Sequence, residues 1–135
     1  MSIEQFGVYV LTMRDETRIA SIERQMSQLG MSFQYIDATV LEKSEHADLP
    51  IDSDAIQGRY GRMLTKGEVS CFVSHRRIWQ QVVDAGKPCV IFEDDALIER
   101  ELPAFLDRLS DTNAPFDVVL LGHSKKDHRR KTLYH

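Results

Sequence analysis

From Phe6 to Met13 the chain reads FGVYVLTM, an apolar, aromatic and β-branched run without breakers. Such a run predicts a buried strand. The spacing then changes. Ile19, Ile22, Met26 and Leu29 recur at intervals of three, four and three residues, the stripe of an amphipathic helix. Asp15 stands where an N-cap is expected, and Gly30 where the helix stops. FQYIDATV, from Phe33 to Val40, is a second strand. Strand, helix and strand in about forty residues predict a parallel βαβ unit with a right-handed crossover.

The rhythm lapses between Glu42 and Met63, a polar, acidic stretch holding Pro50, Gly58 and Gly61. It is expected to be a long loop with at most a short helical turn, and loops of that length are usually functional or mobile. Order returns at Thr65, which forms a capping-box pattern with Glu68. Val69, Phe72, Val73, Trp79, Val82 and Val83 follow as a helical stripe, with Phe72 and Trp79 expected to face the core. Gly86 and Pro88 end it. Cys89 to Phe92 is a strand, Leu102 to Leu109 a short helix with Pro103 in its first turn, and Phe116 to Gly122 (FDVVLLG) a further strand.

This order, β-α-β-loop-α-β-α-β, predicts an alternating α/β fold. Its near-continuous apolar strands suit a parallel sheet covered on both faces. Ligands gather outside the carboxyl ends of such strands. Three strand ends are polar: Thr12 to Asp15, Asp37 to Thr39, and Glu93 to Asp95.

Composition changes the picture little. The 135 residues are 42% hydrophobic and 28% charged, with 7 Gly and 4 Pro, as in one ordinary globular domain. The net charge of -4 disfavours nucleic acid as a partner. Lys125 to Lys131 (KKDHRRK) gathers five cations and one acid, so residues 125–135 read as a basic tail after a domain over 1–124. The two cysteines, Cys71 and Cys89, sit in apolar surroundings. Buried free thiols in a reducing cytosol are expected, a disulfide being the alternative. Glu4 replaces a basic start and the first apolar run is short, so no signal peptide is expected. No segment approaches the ~18 apolar residues of a membrane span.

The chemistry concentrates where a buried strand runs into Glu93, Asp94 and Asp95. Adjacent like charges near a dry core are costly unless something pairs with them. Strand alternation puts Glu93 and Asp95 on one side and Asp94 on the other. Two converging carboxylates suit a hard divalent cation such as Mg²⁺ or Mn²⁺, which stabilises charge building on a departing diphosphate. The plainer reading is helix capping by Asp94 or Asp95, and for acids taken alone the two readings weigh about equally. Ser74 and His75 break an apolar helical segment and read as site-edge residues, against a satisfied histidine, which holds in roughly two cases of three. Arg14, after the first strand, suits a phosphate or a base edge, against a surface cation. Asp37, ending the second, suits ribose or base hydrogen bonds, against a turn residue. There is no G-x-G-x-x-G, P-loop, H-E-x-x-H, C-x-x-C or G-x-S-x-G motif, and no zinc pattern.

VYVLTMRDETRIASIERQMSQLGMSFQYIDA, LTKGEVSCFVSHRRIWQQVVDAG, CVIFEDDALI and FDVVLLG, in that order, resemble the lipooligosaccharide galactosyltransferases of glycosyltransferase family twenty-five. Collagen galactosyltransferases share that family. The resemblance covers most of Phe6 to Gly122. It implies a GT-A type, Rossmann-like sheet that binds a nucleotide sugar, usually UDP-galactose, with a divalent cation, Mn²⁺ or Mg²⁺. Transfer is taken to be inverting, to a glycolipid or oligosaccharide acceptor.

By the same match Glu93, Asp94 and Asp95 occupy the family's acidic motif. Asp95 is the first metal ligand, and Glu93 supports it or contacts the ribose. Ser74 and His75 match a Ser-His pair, Arg14 a basic residue after the first strand, and Asp37 an acid ending the second. Family members continue through a second half with acceptor contacts, so the N-terminal portion alone is expected here, and no catalytic base is assigned within it. The implied setting is cytoplasmic, with peripheral contact at the inner membrane. Two rivals remain. One is a non-enzymatic, homodimerising interaction domain derived from such a transferase. The other is a Mg²⁺-dependent phosphoryl-transfer domain, which leaves the other blocks unexplained.

Overall fold

Strand β1, Gly7–Thr12, pairs in parallel on both its edges. On one side lies β2, Gln34–Asp37, in register from Tyr9↔Gln34 to Thr12↔Asp37. On the other lies β3, Cys89–Glu93, from Gly7↔Cys89 to Leu11↔Glu93. The computed structural model describes residues 6–42, 49–112 and 115–122. From the central strand the chain thus winds to one side through β2 and returns to the other through β3. In an open parallel sheet, that reversal leaves a crevice at the carboxyl ends of β1 and β3.

Helix α1, Glu16–Leu29, makes the first crossover. Asp15 caps it by accepting from the Arg18 N–H at 3.0 Å. Gly30 ends it at φ 64°, the left-handed conformation glycine adopts without a Cβ penalty. Val8 and Val10 of β1 share a face with Val90 and Phe92 of β3. On that face they form the main core with Ile22 and Met26 of α1, Met31, and Leu106 of helix α4, Leu102–Asp111. Ile22 and Met26 are fully buried, each worth about 1.5–3 kcal/mol relative to exposure.

Helix α3, Lys66–Ala85, approaches the other face, the one Glu93 takes because it follows Phe92 on the strand. Its capping box forms as expected: the Glu68 N–H donates to Thr65 Oγ1, and the Thr65 N–H to Glu68 Oε2. Its buried side is Val69, Ser70, Val73, Ser74 and Ile78. The expectation that Phe72 and Trp79 face the core is therefore corrected, since they are 45% and 52% exposed. The two serines take the inner positions because their hydroxyls serve backbone groups there. Thr39 N–H donates to Ser74 Oγ (2.9 Å), Leu41 N–H to Ser70 Oγ (3.1 Å), and Ser74 Oγ to the Ser70 carbonyl (2.7 Å).

Three further expectations change. Within the stretch read as loop, Ser53–Tyr60 forms helix α2, capped by Asp52 and ended by Gly61 at φ 67°; residues 43–48 lie outside the described ones. The run from Phe116 to Gly122 is not a strand: it joins no ladder, and Val118 and Leu120 are 79% and 88% exposed. β-propensity alone does not make a strand: the run stays off the open edges of the three-stranded sheet. Cys71 is exposed rather than buried, and both cysteines are free. The basic tail lies outside the described residues.

Candidate functional site

The carboxyl ends of all three strands open onto a cavity of about 470 Å³. Leu11 to Met13 of the β1 end, Ala38 to Val40 beyond β2, and Glu93 to Asp95 beyond β3 contribute to its wall. Lys66 and Gly67, from the first turn of α3, close it, and Arg18 reaches it from α1. The switch-point crevice required by the strand order is thus present.

Asp94 is the buried acid, 5% exposed. Its Oδ2 accepts from the Thr12 hydroxyl at 2.7 Å, and its Oδ1 from Arg18 Nη1 at 3.1 Å. A desolvated carboxylate is tolerable with both oxygens engaged and a cation alongside. Hydrogen bonding to Asp94 and the nearby charges of Asp94 and Asp95 raise the Arg18 pKa. Asp94 is thus not a helix cap; it ties the acidic turn to the end of β1 while lining the cavity.

Strand alternation ends at Glu93, because the chain turns there: the Ala96 N–H donates to the Glu93 carbonyl at 3.1 Å. Glu93 and Asp95 are exposed, and all three acids line the same cavity. Glu93 Oε1 lies 3.2 Å from His75 Nε2 and 3.8 Å from Cys71 Sγ. Burial, and then the Glu93 charge, push the Cys71 thiol pKa up.

Arg14 and Asp37 meet each other instead. Arg14 Nε donates to Asp37 Oδ1 at 2.6 Å, and the guanidinium lies over the Tyr35 ring, 4.9 Å from its centroid. This hydrogen bond lowers the Asp37 pKa and raises that of Arg14. Neither residue lines the cavity. Arg14 has φ 65°, costly for a residue with a Cβ, and its N–H donates to Thr12 Oγ1 at 2.9 Å. Ser74 does line the cavity, but its hydroxyl is committed to Thr39 and Ser70. His75 is brought to Glu93 without lining the cavity itself.

Sequence reasoning missed Thr12, Arg18, Lys66 and Cys71 as individual site residues. Arg18 carried a signal, since a residue in the first turn after a capped strand end stands beside that end. Cys71 carried another, lying one helical turn before His75.

For a hard divalent cation the donor set fits in part. Glu93 and Asp95 are accessible carboxylates on one cavity, whereas Asp94 is held by Thr12 and Arg18.

A parallel, switch-point α/β sheet with acids and cations at its carboxyl edge is consistent with part of a GT-A type, nucleotide-sugar-binding fold. The profile of "Glycosyltransferase family 25 (LPS biosynthesis protein)" matches residues 6–135, and the chain belongs to that family. It is 36% identical over 126 residues to human "Inactive glycosyltransferase 25 family member 3", covering 88% of this chain and 21% of that protein. It is 27% identical over 135 residues to "Procollagen galactosyltransferase 1-A" of Xenopus laevis, covering 93% of this chain and 22% of the relative. It is 34% identical over 86 residues to "Lipooligosaccharide biosynthesis protein lic2B" of Haemophilus influenzae, covering 63% and 31%. The chain thus spans about a fifth of the length of the first two relatives.

Proposed function

We propose that this chain forms the donor-binding part of a glycosyltransferase that moves a hexose, galactose, from a UDP-sugar to a lipooligosaccharide-type acceptor. The observation that carries the reading is the cavity at the β1/β3 switch point, bordered by Glu93, Asp95, Arg18, Lys66 and the first turn of α3. Cationic side chains and a helix N-terminus suit a diphosphate. Asp95 and Glu93 would hold the divalent cation, Mn²⁺ or Mg²⁺, which supplies charge stabilisation to the leaving diphosphate. Asp94 would keep Arg18 oriented at the cavity edge. In an inverting transfer the acceptor hydroxyl oxygen bonds to the anomeric carbon, the bond from that carbon to the diphosphate oxygen breaks, and UDP departs. The hydroxyl proton passes to a base.

Galactose is supported by the name of the Xenopus relative, and the glycolipid acceptor by that of the Haemophilus one. Cytoplasmic work at the inner-membrane surface follows from such an acceptor; among the described residues, no helix is long and apolar enough to cross a membrane. The test is calorimetry of the purified protein with UDP, with and without Mn²⁺. Binding strengthened by Mn²⁺, and lost from Asp95→Ala in its Mn²⁺-dependent part, is the expected result. No binding to folded protein under either condition would refute the reading.

A second reading, an interaction domain that has lost transfer, is favoured by the word "inactive" in the human relative's name. It predicts no sugar transfer from UDP-galactose and, in light scattering, a dimer.

A further inference from the structure

Cys71, His75 and Glu93 bring a sulfur, an imidazole nitrogen and a carboxylate oxygen together, with the three ligand atoms all within 4.8 Å of one another. Cys71 and His75 stand one turn apart on α3, so both project from the same helix face. Glu93 comes to them from the end of β3. We propose that these three side chains form a binding site for a borderline-soft divalent cation of the zinc class; it shares Glu93 with the hard-cation pair Glu93 and Asp95 but adds a thiolate and an imidazole.

Two of the three ligand-to-ligand distances already have the required size, and the third lies within 4.8 Å. Ligand atoms at tetrahedral angles around zinc, at ~2.0–2.3 Å from the ion, stand roughly 3.3–3.6 Å apart. Here Nε2 of His75 lies 3.2 Å and Sγ of Cys71 3.8 Å from Glu93 Oε1. Two edges of the ligand triangle thus need shifts of only a few tenths of an ångström. In the absence of an ion the same distances are those of weak hydrogen bonds to a shared carboxylate oxygen, which keeps the three groups assembled.

The donor set selects the metal. Thiolate and imidazole favour zinc over Mg²⁺ or Mn²⁺, which prefer oxygen. Cys71 is exposed and Glu93 half exposed, so an ion can reach them. Three protein ligands leave a fourth position, as in zinc sites that keep an exchangeable ligand. Cys71 and Glu93 both line the 470 Å³ cavity, so that position is accessible from the cleft. The proposal does not rest on nucleotide binding.

The test uses Co²⁺ as a spectroscopic stand-in for zinc, with the purified protein and no nucleotide. A one-to-one complex with a thiolate-to-cobalt charge-transfer band, displaced by Zn²⁺, is expected. The band disappears in Cys71→Ser and persists in Cys89→Ser. His75→Gln weakens Zn²⁺ binding at least about tenfold, the lower end of the loss from changing even an outer partner of a zinc ligand. Circular dichroism checks that each variant is folded. Histidines elsewhere in the sequence, such as His123 and His128, can bind zinc but cannot give the thiolate band. Absence of the band in the wild-type protein, its survival in Cys71→Ser, or unchanged Zn²⁺ affinity in folded His75→Gln would each overturn the site. Should Cys71→Ser not fold, His75→Gln decides. Loss of UDP binding leaves this result untouched, so the two proposals fail separately.

Discussion

Asp94 shows how a single buried charge organises a strand end. Both of its oxygens are engaged, one by a hydroxyl from β1 and one by a guanidinium from α1. Asp94→Ala leaves the buried Thr12 hydroxyl without its acceptor and removes the partner of Arg18. It is expected to lower stability by about 2–3 kcal/mol, measured by urea unfolding. Arg18→Met leaves the buried Asp94 carboxylate with Thr12 as its partner and no cation, so it is expected to cost at least as much as Asp94→Ala, about 2–3 kcal/mol or more, although Arg18 itself is 54% exposed. A loss under about 0.5 kcal/mol for Arg18→Met would mean that the Asp94 charge does not depend on the guanidinium. A second residue-scale prediction concerns Glu68. Its pKa is lowered to about 2 by the Arg62 side chain first and by the Thr65 N–H next. A depressed carboxylate stabilises the fold fully above its unfolded value, near 4.5. That contribution is lost as the pH falls from there towards 2. Glu68→Gln, which can still close the capping box, should therefore be less stable than wild type at pH 7. Melts across the acid range should find the difference shrinking between pH 4.5 and 2.

Among the elements, α3 carries the most consequence, because its polar inner positions fix the loop that walls the cavity. Ser74→Ala leaves the Thr39 N–H without its acceptor and should cost about 1–2 kcal/mol. Val83→Ala, on a position 71% exposed, should change stability by less than about 0.5 kcal/mol. Denaturant midpoints compare the two, and a larger effect at Val83 would contradict the helix orientation. That orientation was not legible in the sequence. Ranking residues by size and apolarity selects Phe72 and Trp79, whereas the roll of α3 is set by hydroxyls that satisfy backbone groups thirty or so residues earlier. Strands β1, β2 and β3 and helix α1 were legible because their periodicity is strong and their caps are explicit. Helix α2 was hidden because Ala55, Ile56 and Tyr60 trace no stripe, although Asp52 and Gly61 did mark its ends. The run at 116–122 misled for the opposite reason: apolarity was present, but the run pairs with neither open edge of the sheet. At the site, the acidic turn could be read from three consecutive letters. The partition of its members, one neutralised and two accessible, depends on Thr12 and Arg18, which approach from other elements.

For the whole molecule, the strand order β2-β1-β3 makes fold and site share one strand. β1 contributes Val8 and Val10 to the core and, followed by Met13 just past its end, Leu11 and Thr12 to the cavity wall. Stability and ligand binding therefore separate along it, and two substitutions can read them apart. Ile22 is fully buried in the core and does not line the cavity, so Ile22→Ala removes packing without touching the cleft. It should cost about 2–4 kcal/mol and lower the Tm clearly. Well below that Tm, the folded fraction should bind UDP with unchanged Kd. Asp95 is exposed at the cavity, so Asp95→Ala should leave the Tm within a degree or two while removing the Mn²⁺-dependent part of UDP binding. Calorimetry and thermal melts on both variants give the two-by-two comparison. If Asp95→Ala binds Mn²⁺ with wild-type affinity, the cation does not sit at this turn. A Kd shift in fully folded Ile22→Ala would show that the cleft is not rigidly defined by the switch point, and that the sheet edge adapts when the core behind it loosens.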